Sequence, residues 1–283
     1  MTIREVTSAE ITNTVAELCK NANYFLPDDV LTALKNARER EEAPRAQQVL
    51  ATILENAQIA SDKQVALCQD TGTTVLFLEL GQDVHISGEG LQQAIEEGVR
   101  QGYTGGFLRN SMVRQPFSRR LNTGDNTPPI VHVEIVPGDR IKITVMPKGG
   151  GCENMSRMAI LRPGDGKEGV SDFVLRTIEE SGGNPCPPLI VGVGIGGSAE
   201  YVMYLAKKSL LRKVGEQNQD TEVAELENEL LERVNATGIG PQAWGGRTTA
   251  LAVNIETYPT HITALPVGVN LQCHSARTKT AII

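Results

Sequence analysis

Apolar residues recur at helical spacing through the first sixty positions of the chain. Ile11, Val15 and Leu18 fall on one face of a segment that opens with Thr7-Ser8-Ala9-Glu10, the spacing of a capping box. Pro27 and Pro44 stand where first-turn prolines are tolerated and open two further predicted helices, the later one carrying Val49, Leu50, Ile53, Leu54 and Ala57. The pattern then changes. Residues 74–80 form a short, apolar, β-prone run, which puts Cys68 to Gly72 on the loop that enters a strand. A helix is predicted over residues 91–103. The alternating runs 130–136 and 141–146, on either side of Pro137-Gly138-Asp139, predict a β-hairpin.

In the second half the periodicity predicts a helix over 168–181, a buried strand over 189–193, a helix over 198–213 and a charged amphipathic helix over 223–234. Polar residues 217–221 predict an exposed turn, and late strands are expected near 250–255 and 262–271. No internal repeat, low-complexity tract or interdomain linker is visible. The expected class is α/β, of mixed α+β character, with helices leading and with the chemical residues on loops that flank strands.

Composition narrows the function. The 283 residues are 40% hydrophobic and 22% charged, with a formal charge of -7, so a globular protein is expected and a nucleic-acid binder is disfavoured, since phosphate recognition needs concentrated positive charge. No apolar run approaches the roughly 18 residues that span a bilayer, and the N-terminus has no apolar signal core, which makes the cytoplasm the expected compartment without a membrane partner. Five widely spaced cysteines without a CxxC pair do not read as a secreted disulfide framework.

Three of those cysteines occupy unusual settings: Cys68 in Leu67-Cys68-Gln69-Asp70-Thr71-Gly72, Cys186 in Asn184-Pro185-Cys186-Pro187-Pro188, and Cys273 in Leu271-Gln272-Cys273-His274-Ser275-Ala276-Arg277. Each adjoins a strand-like run and sits beside polar or proline-stiffened backbone, which suits thiolates aimed at a common point better than thiols packed as small hydrophobes. Three thiolates could hold an iron-sulfur cluster and leave one iron as a Lewis acid. Asp70 reads either as an acid or base beside such a cluster or as a turn former. Arg109 could clamp a carboxylate. Among the histidines, His85 and His132 read as strand-surface residues, while His261 and His274 flank the strand leading to Cys273.

Two glycine-rich segments carry competing readings. Gly192-Val193-Gly194-Ile195-Gly196-Gly197 has the spacing of a dinucleotide fingerprint, but the acidic residue expected about 20 positions later lacks a preceding strand. Close strand-helix packing or an anion at the helix start is the expectation there. Lys148-Gly149-Gly150-Gly151-Cys152 is either an N–H nest for a carboxylate, using positive φ, or a flexible turn. Cys152 reads as a ligand or as a small residue in a tight loop. Residues 122–129 read as a turn whose side chains could bind a polar ligand.

Taken together, CQDTG around Cys68, NTGDNTP from Asn122, KGGG from Lys148 followed by ENMS, NPCPP around Cys186, GVGIGG from Gly192 and the Cys273 segment closely resemble the class I, iron-sulfur-dependent fumarate hydratases. The chain is similar to the alpha subunit of the two-subunit form, equivalent to the N-terminal domain of single-chain members, and the resemblance treats residues 1–283 as one such domain. L(+)-tartrate dehydratase alpha subunits share several of these motifs. The stretches DNTP and ENMS resemble the fumarase branch, whereas Cys152 resembles the tartrate branch.

The resemblance implies that Cys68, Cys186 and Cys273 ligate a [4Fe-4S] cluster. It further implies that Gln69, Asp70, Arg109, Gly151 and His261 line the side facing a small dicarboxylate substrate, with Gln69 and the Gly151 backbone as hydrogen-bond donors, Asp70 as the proton-transfer group and His261 as a second catalytic group. The implied activity is the reversible hydration of fumarate to (S)-malate with a beta subunit in a larger oligomer, the alternative being an L(+)-tartrate or related hydroxydiacid dehydratase. A nicotinamide oxidoreductase and a noncatalytic iron-sulfur protein are the competing classes.

Overall fold

A computed structural model describes residues 3–283. In chain order the elements begin with β1 (Arg4–Thr7), α1 (Ser8–Tyr24), α2 (Asp28–Arg40), α3 (Pro44–Lys63), β2 (Thr73–Gly81), β3 (Val84–Ser87) and α4 (Leu91–Gly105). They continue with β4 (Ile130–Val136), β5 (Ile141–Lys148), the short α5 (Gly150–Glu153), β6 (Arg157–Leu161), α6 (Gly166–Ser181) and β7 (Leu189–Gly196). Last come α7 (Ala199–Lys208), α8 (Thr221–Ala236), β8 (Ala250–Tyr258), β9 (Leu265–Gln272) and β10 (Lys279–Ile282). The expected α/β class is observed. No helix among the described residues is long and apolar enough to cross a membrane.

The chain forms two compact units. The first comprises the chain up to Pro27, Asn56–Gly150 and Arg277–Ile283; the second comprises Asp28–Glu55 and Gly151–Ala276. In the first unit, Thr7 caps α1 by accepting a hydrogen bond from Glu10 N–H through its side chain, half of the predicted capping box. The apolar stripe of α1 packs with α4 over a four-stranded sheet of order β10-β5-β2-β4. Ile11, Val15, Leu76, Leu78, Ile95, Val99, Ile143 and Val145 are buried in this core. Each such aliphatic side chain contributes roughly 1.5–3 kcal/mol on burial.

The predicted β4–β5 hairpin is not formed. β2 lies between the two strands, parallel to β4 and antiparallel to β5. The physical reason is burial: residues 74–78 of β2 are all buried, so this strand takes the centre, whereas β4 is partly exposed and lies at the edge. The turn at Pro137-Gly138-Asp139 closes over the end of β2, where Gly81 N–H donates to Arg140 O and Asp83 N–H to Gly138 O.

The second unit holds a sheet of order β6-β9-β7-β8, with β8 parallel and β9 antiparallel to β7. Alternation along β7 sends Val191 and Val193 into a core with Val174, Ile178, Leu226, Leu230 and Val234. The opposite face carries Gly192 and Gly194. A Cβ at either would come within 2.2 Å of a backbone oxygen in α7, of Ala206 and Val202 respectively. Those glycines therefore let α7 press against the strand, and the dinucleotide-like spacing is explained by close packing.

Candidate functional site

The loop entering β2 gathers most of the polar candidates of the first unit. Gly72 turns the chain with φ of +76°, and a Cβ there would meet the Lys148 backbone at 2.7 Å. Asp70 stands at the centre. Its Oδ1 accepts from Gly72 N–H at 3.0 Å, an Asx turn, and its Oδ2 accepts from Gly150 N–H at 2.7 Å. The Arg109 guanidinium approaches Oδ1 at 3.5 Å and is itself more than half exposed. Backbone ties stiffen the arrangement: Thr71 Oγ1 donates to Arg109 O at 2.6 Å, and the buried Tyr103 hydroxyl donates to Thr71 O at 2.7 Å. Burial raises the pKa of Tyr103, which keeps that hydroxyl protonated and able to donate.

Cys68 is half-buried in the same loop, and the N–H of Asp70 points at its sulfur at 3.4 Å. Such N–H donors stabilise thiolate sulfur in iron-sulfur sites. Its Sγ lies 3.3 Å from Gln69 Oε1, and Gln69 is exposed.

The three glycines at 149–151 do not use positive φ. Gly150 and Gly151 instead open α5, and the first of its N–H groups is taken by the chain's own Asp70. A Cβ at Gly149 would lie 3.3 Å from Arg277 Nη2 and 3.4 Å from Asp70 Oδ2. The engaged amide is that of Gly150, while Gly151 is exposed.

Arg277 was missed by sequence reasoning, although its segment had been singled out for Cys273. It is 1% exposed and donates to the carbonyl oxygen of Asp70 and, at 3.3 Å, to Asn23 Oδ1. No spacing rule marks a lone arginine after two small residues as buried. In the turn at 122–129 the buried Asn126 side chain accepts from Ser111 N–H at 2.6 Å and donates to Gly72 O at 3.1 Å.

In the second unit, Cys186 is exposed and holds φ of 56°, a left-handed conformation that a non-glycine residue adopts only at a cost. Cys273 follows β9 and is half-buried. The residue after it, His274, lies against the Cys186 loop: its Nδ1 is 3.1 Å from Cys186 O and 3.1 Å from Gln242 Nε2, and Gln242 also binds Pro187 O. Cys152 is buried, with its Sγ 3.4 Å from Pro185 O. His261 is exposed in the turn after β8, hydrogen-bonded at 2.8 Å to Thr263 Oγ1. A groove of about 500 Å³ runs along α2 and α3, lined by Lys35, Arg38, Glu39 and Gln47, and none of the site candidates lines it.

Among the described residues, no three His, Cys, Asp or Glu side chains form a ready-made metal cage. The donor chemistry nevertheless separates the cysteines into two sets. Cys68, Cys186 and Cys273 are accessible on loops at strand ends, whereas Cys19 and Cys152 are buried. Burial pushes the Cys19 thiol up to about 12, so it stays protonated and a poor ligand. Accessibility is what a thiolate ligand needs, and Cys68 has in addition the Asp70 N–H aimed at its sulfur.

Comparison with known proteins bears on what this site serves. The family model described as fumarate hydratase (fumerase) matches residues 12–282. A protein of Methanocaldococcus jannaschii, provisionally named L(+)-tartrate dehydratase subunit alpha, is 44% identical over 275 residues, covering 95% of both chains. The L(+)-tartrate dehydratase subunit alpha of Escherichia coli O157:H7 is 34% identical over 278 residues, covering 97% of this chain and 91% of the relative. That of E. coli strain UTI89 is 35% identical over 275 residues, covering 96% and 90%. With nearly its whole length matched by the model and by these relatives, the chain belongs to the fumarate hydratase (fumerase) family.

Proposed function

We propose that the chain is the alpha subunit of an iron-sulfur hydro-lyase that reversibly hydrates fumarate to (S)-malate together with a beta subunit. Cys68, Cys186 and Cys273 would hold a [4Fe-4S] cluster. When bound, that cluster supplies a Lewis acid through the iron that lacks a protein ligand.

The remaining work falls to the chain's own groups. Hydration of the double bond requires a proton on one carbon and hydroxide on the other, with negative charge gathering on the adjacent carboxylate on the way. Asp70 is the proton-transfer group in this reading, supported by the two backbone N–H donors that fix its carboxylate in one orientation. Arg109 pairs with one carboxylate of the diacid, and the Gln69 side chain and Gly151 N–H donate to its oxygens; all three are exposed. His261 orients or exchanges protons with the substrate from its own turn. Residues 1–283 would act as one hydro-lyase subunit in a larger assembly of alpha and beta chains, in the cytoplasm.

The observation that carries the proposal is the coincidence, in a chain of this family, of an accessible cysteine with an N–H-braced carboxylate two residues later. A second reading is favoured by the relatives' names: dehydration of L(+)-tartrate, in which the substrate carries one more hydroxyl than malate. Anaerobic assay of the chain co-produced with its beta subunit, following fumarate absorbance and L(+)-tartrate consumption in parallel, tests both. Turnover of fumarate above tartrate supports the first reading, the reverse order supports the second, and turnover of neither overturns both.

A further inference from the structure

The loop from Leu67 to Gly72 is fastened on both sides of its chemical residues. At one end, Leu67 N–H donates to Asn23 O at 2.8 Å and Leu67 O accepts from Asn56 Nδ2 at 2.9 Å. At the other end, the Arg277 guanidinium binds the Asp70 carbonyl oxygen. Only Cys68 and Gln69 lie between these anchors. Asn23 serves both: its main-chain oxygen holds Leu67 and its side-chain oxygen accepts from Arg277.

The Arg277 arrangement is expensive as mere packing. The side chain is 1% exposed, its hydrogen-bond partners are two neutral oxygens, and its Nε has no partner among the described residues. A buried cation without a carboxylate carries a desolvation penalty that an apolar side chain of similar length would not. What the guanidinium achieves is placement. It grips the Asp70 peptide from behind, and Gly149 is small enough for Arg277 Nη2 and Asp70 Oδ2 to flank it. The next amide, Gly150 N–H, then meets Oδ2 at 2.7 Å.

We propose that Arg277 is a positioning residue for Asp70: it fixes the peptide from which the carboxylate reaches Gly150 and Arg109. Both bonds leave one nitrogen, Nη1, so a lysine could supply the charge and the donors but not the reach and fixed direction of the planar guanidinium. This inference rests on the reading of Asp70 as the proton-transfer group, and goes beyond it by naming what aims that group.

The test uses the alpha-beta complex with Arg277→Lys, Arg277→Gln, Asp70→Asn and the double variant Arg277→Lys/Asp70→Asn. Arg277→Lys should lower kcat about tenfold and Arg277→Gln about a hundredfold, with KM within about threefold and iron content unchanged. Because Arg277 acts through Asp70, the double variant should be about as slow as Asp70→Asn alone, where independent sites would multiply. Hydrogen exchange supplies a readout apart from activity: the peptide 148–153 should exchange about tenfold faster in Arg277→Lys while the β7 peptide 189–196 is unchanged. Wild-type kcat and wild-type exchange in Arg277→Lys would overturn the proposal, as would multiplicative losses in the double variant. If Arg277→Gln does not fold, the lysine variant alone decides. Wild-type turnover in Asp70→Asn would instead remove Asp70 from the chemistry, and the exchange arm would still decide whether Arg277 positions it.

Discussion

The carboxylate of Asp70 accepts a 2.7 Å hydrogen bond from the main-chain N–H of Gly150, joining the loop that carries Cys68 to the glycine turn after β5. This contact makes Gly150 a residue whose backbone, with no side chain, affects the site. Proline is tolerated at the first position of a helix, and Gly150 is the first residue of α5, so Gly150→Pro keeps the helix start, removes this donor and puts the ring Cδ in its place, which drives the Asp70 carboxylate out of its present position. The expected result is a folded, iron-replete subunit whose turnover with the beta subunit falls about tenfold. Steady-state kinetics beside iron analysis would check it, and unchanged kcat would separate this contact from catalysis.

Asp70→Asn should lower turnover with the cluster content intact, because the amide keeps the shape of the carboxylate but cannot take up a proton. Arg109→Met should act on a different parameter. Its ion pair with Asp70 is long, at 3.5 Å, and exposed, so the substitution should leave thermal stability nearly unchanged and raise KM about tenfold or more. His261→Asn should weaken KM or kcat without altering iron content. Michaelis plots for the three variants would distinguish these outcomes.

The order of elements was largely legible, because helix caps, proline positions and β-prone runs are local signals. The α1 cap at Thr7, the opening of α3 at Pro44 and the strand after Cys68 all stand where the pattern put them. The failure at β4 and β5 was one of pairing. Which strand takes the centre depends on burial on both faces, and β2 settled it from sixty residues upstream. The short strands β1, β3, β6 and β10 were missed for a related reason, since four or five residues with edge exposure carry little periodicity. Within the site, the Asp70 loop was legible through its motif, whereas Arg277 was not. Its role arises from contacts 207 and 254 positions away in sequence, to Asp70 and Asn23.

Cys19 makes a prediction about alkaline stability. Its thiol titrates near 9.0 in the absence of burial and near 12 in the fold. The folded state therefore binds more protons than the unfolded state between those values, and the stabilising contribution present below pH 9 is lost as pH rises toward 12. Thermal melting midpoints should decline across this window, and the decline should be shallower in Cys19→Ala, although that variant starts from a lower midpoint at pH 7 because of the cavity. Identical slopes would show that other groups, Tyr103 among them, dominate.

The relatives are named as alpha subunits, and among the described residues the one cationic side chain in an ion pair with the Asp70 carboxylate is Arg109. A C4 diacid has two carboxylates to hold. Purified, cluster-loaded alpha chain should accordingly turn over substrate about a hundredfold more slowly than the alpha-beta complex, a loss on the scale of misplaced catalytic groups. Anaerobic titration of the alpha chain with its partner measures this, and equal turnover at every ratio would place all the needed groups within the alpha chain.

The most direct measurement is anaerobic iron and sulfide analysis of the wild-type chain and its five single cysteine-to-serine variants. The account predicts about four iron atoms per chain in the wild type, Cys19→Ser and Cys152→Ser. It predicts loss of colour and cluster in Cys68→Ser, Cys186→Ser and Cys273→Ser. A full complement of iron and sulfide in Cys186→Ser, or loss of the cluster in Cys152→Ser with Cys186→Ser unaffected, would contradict it.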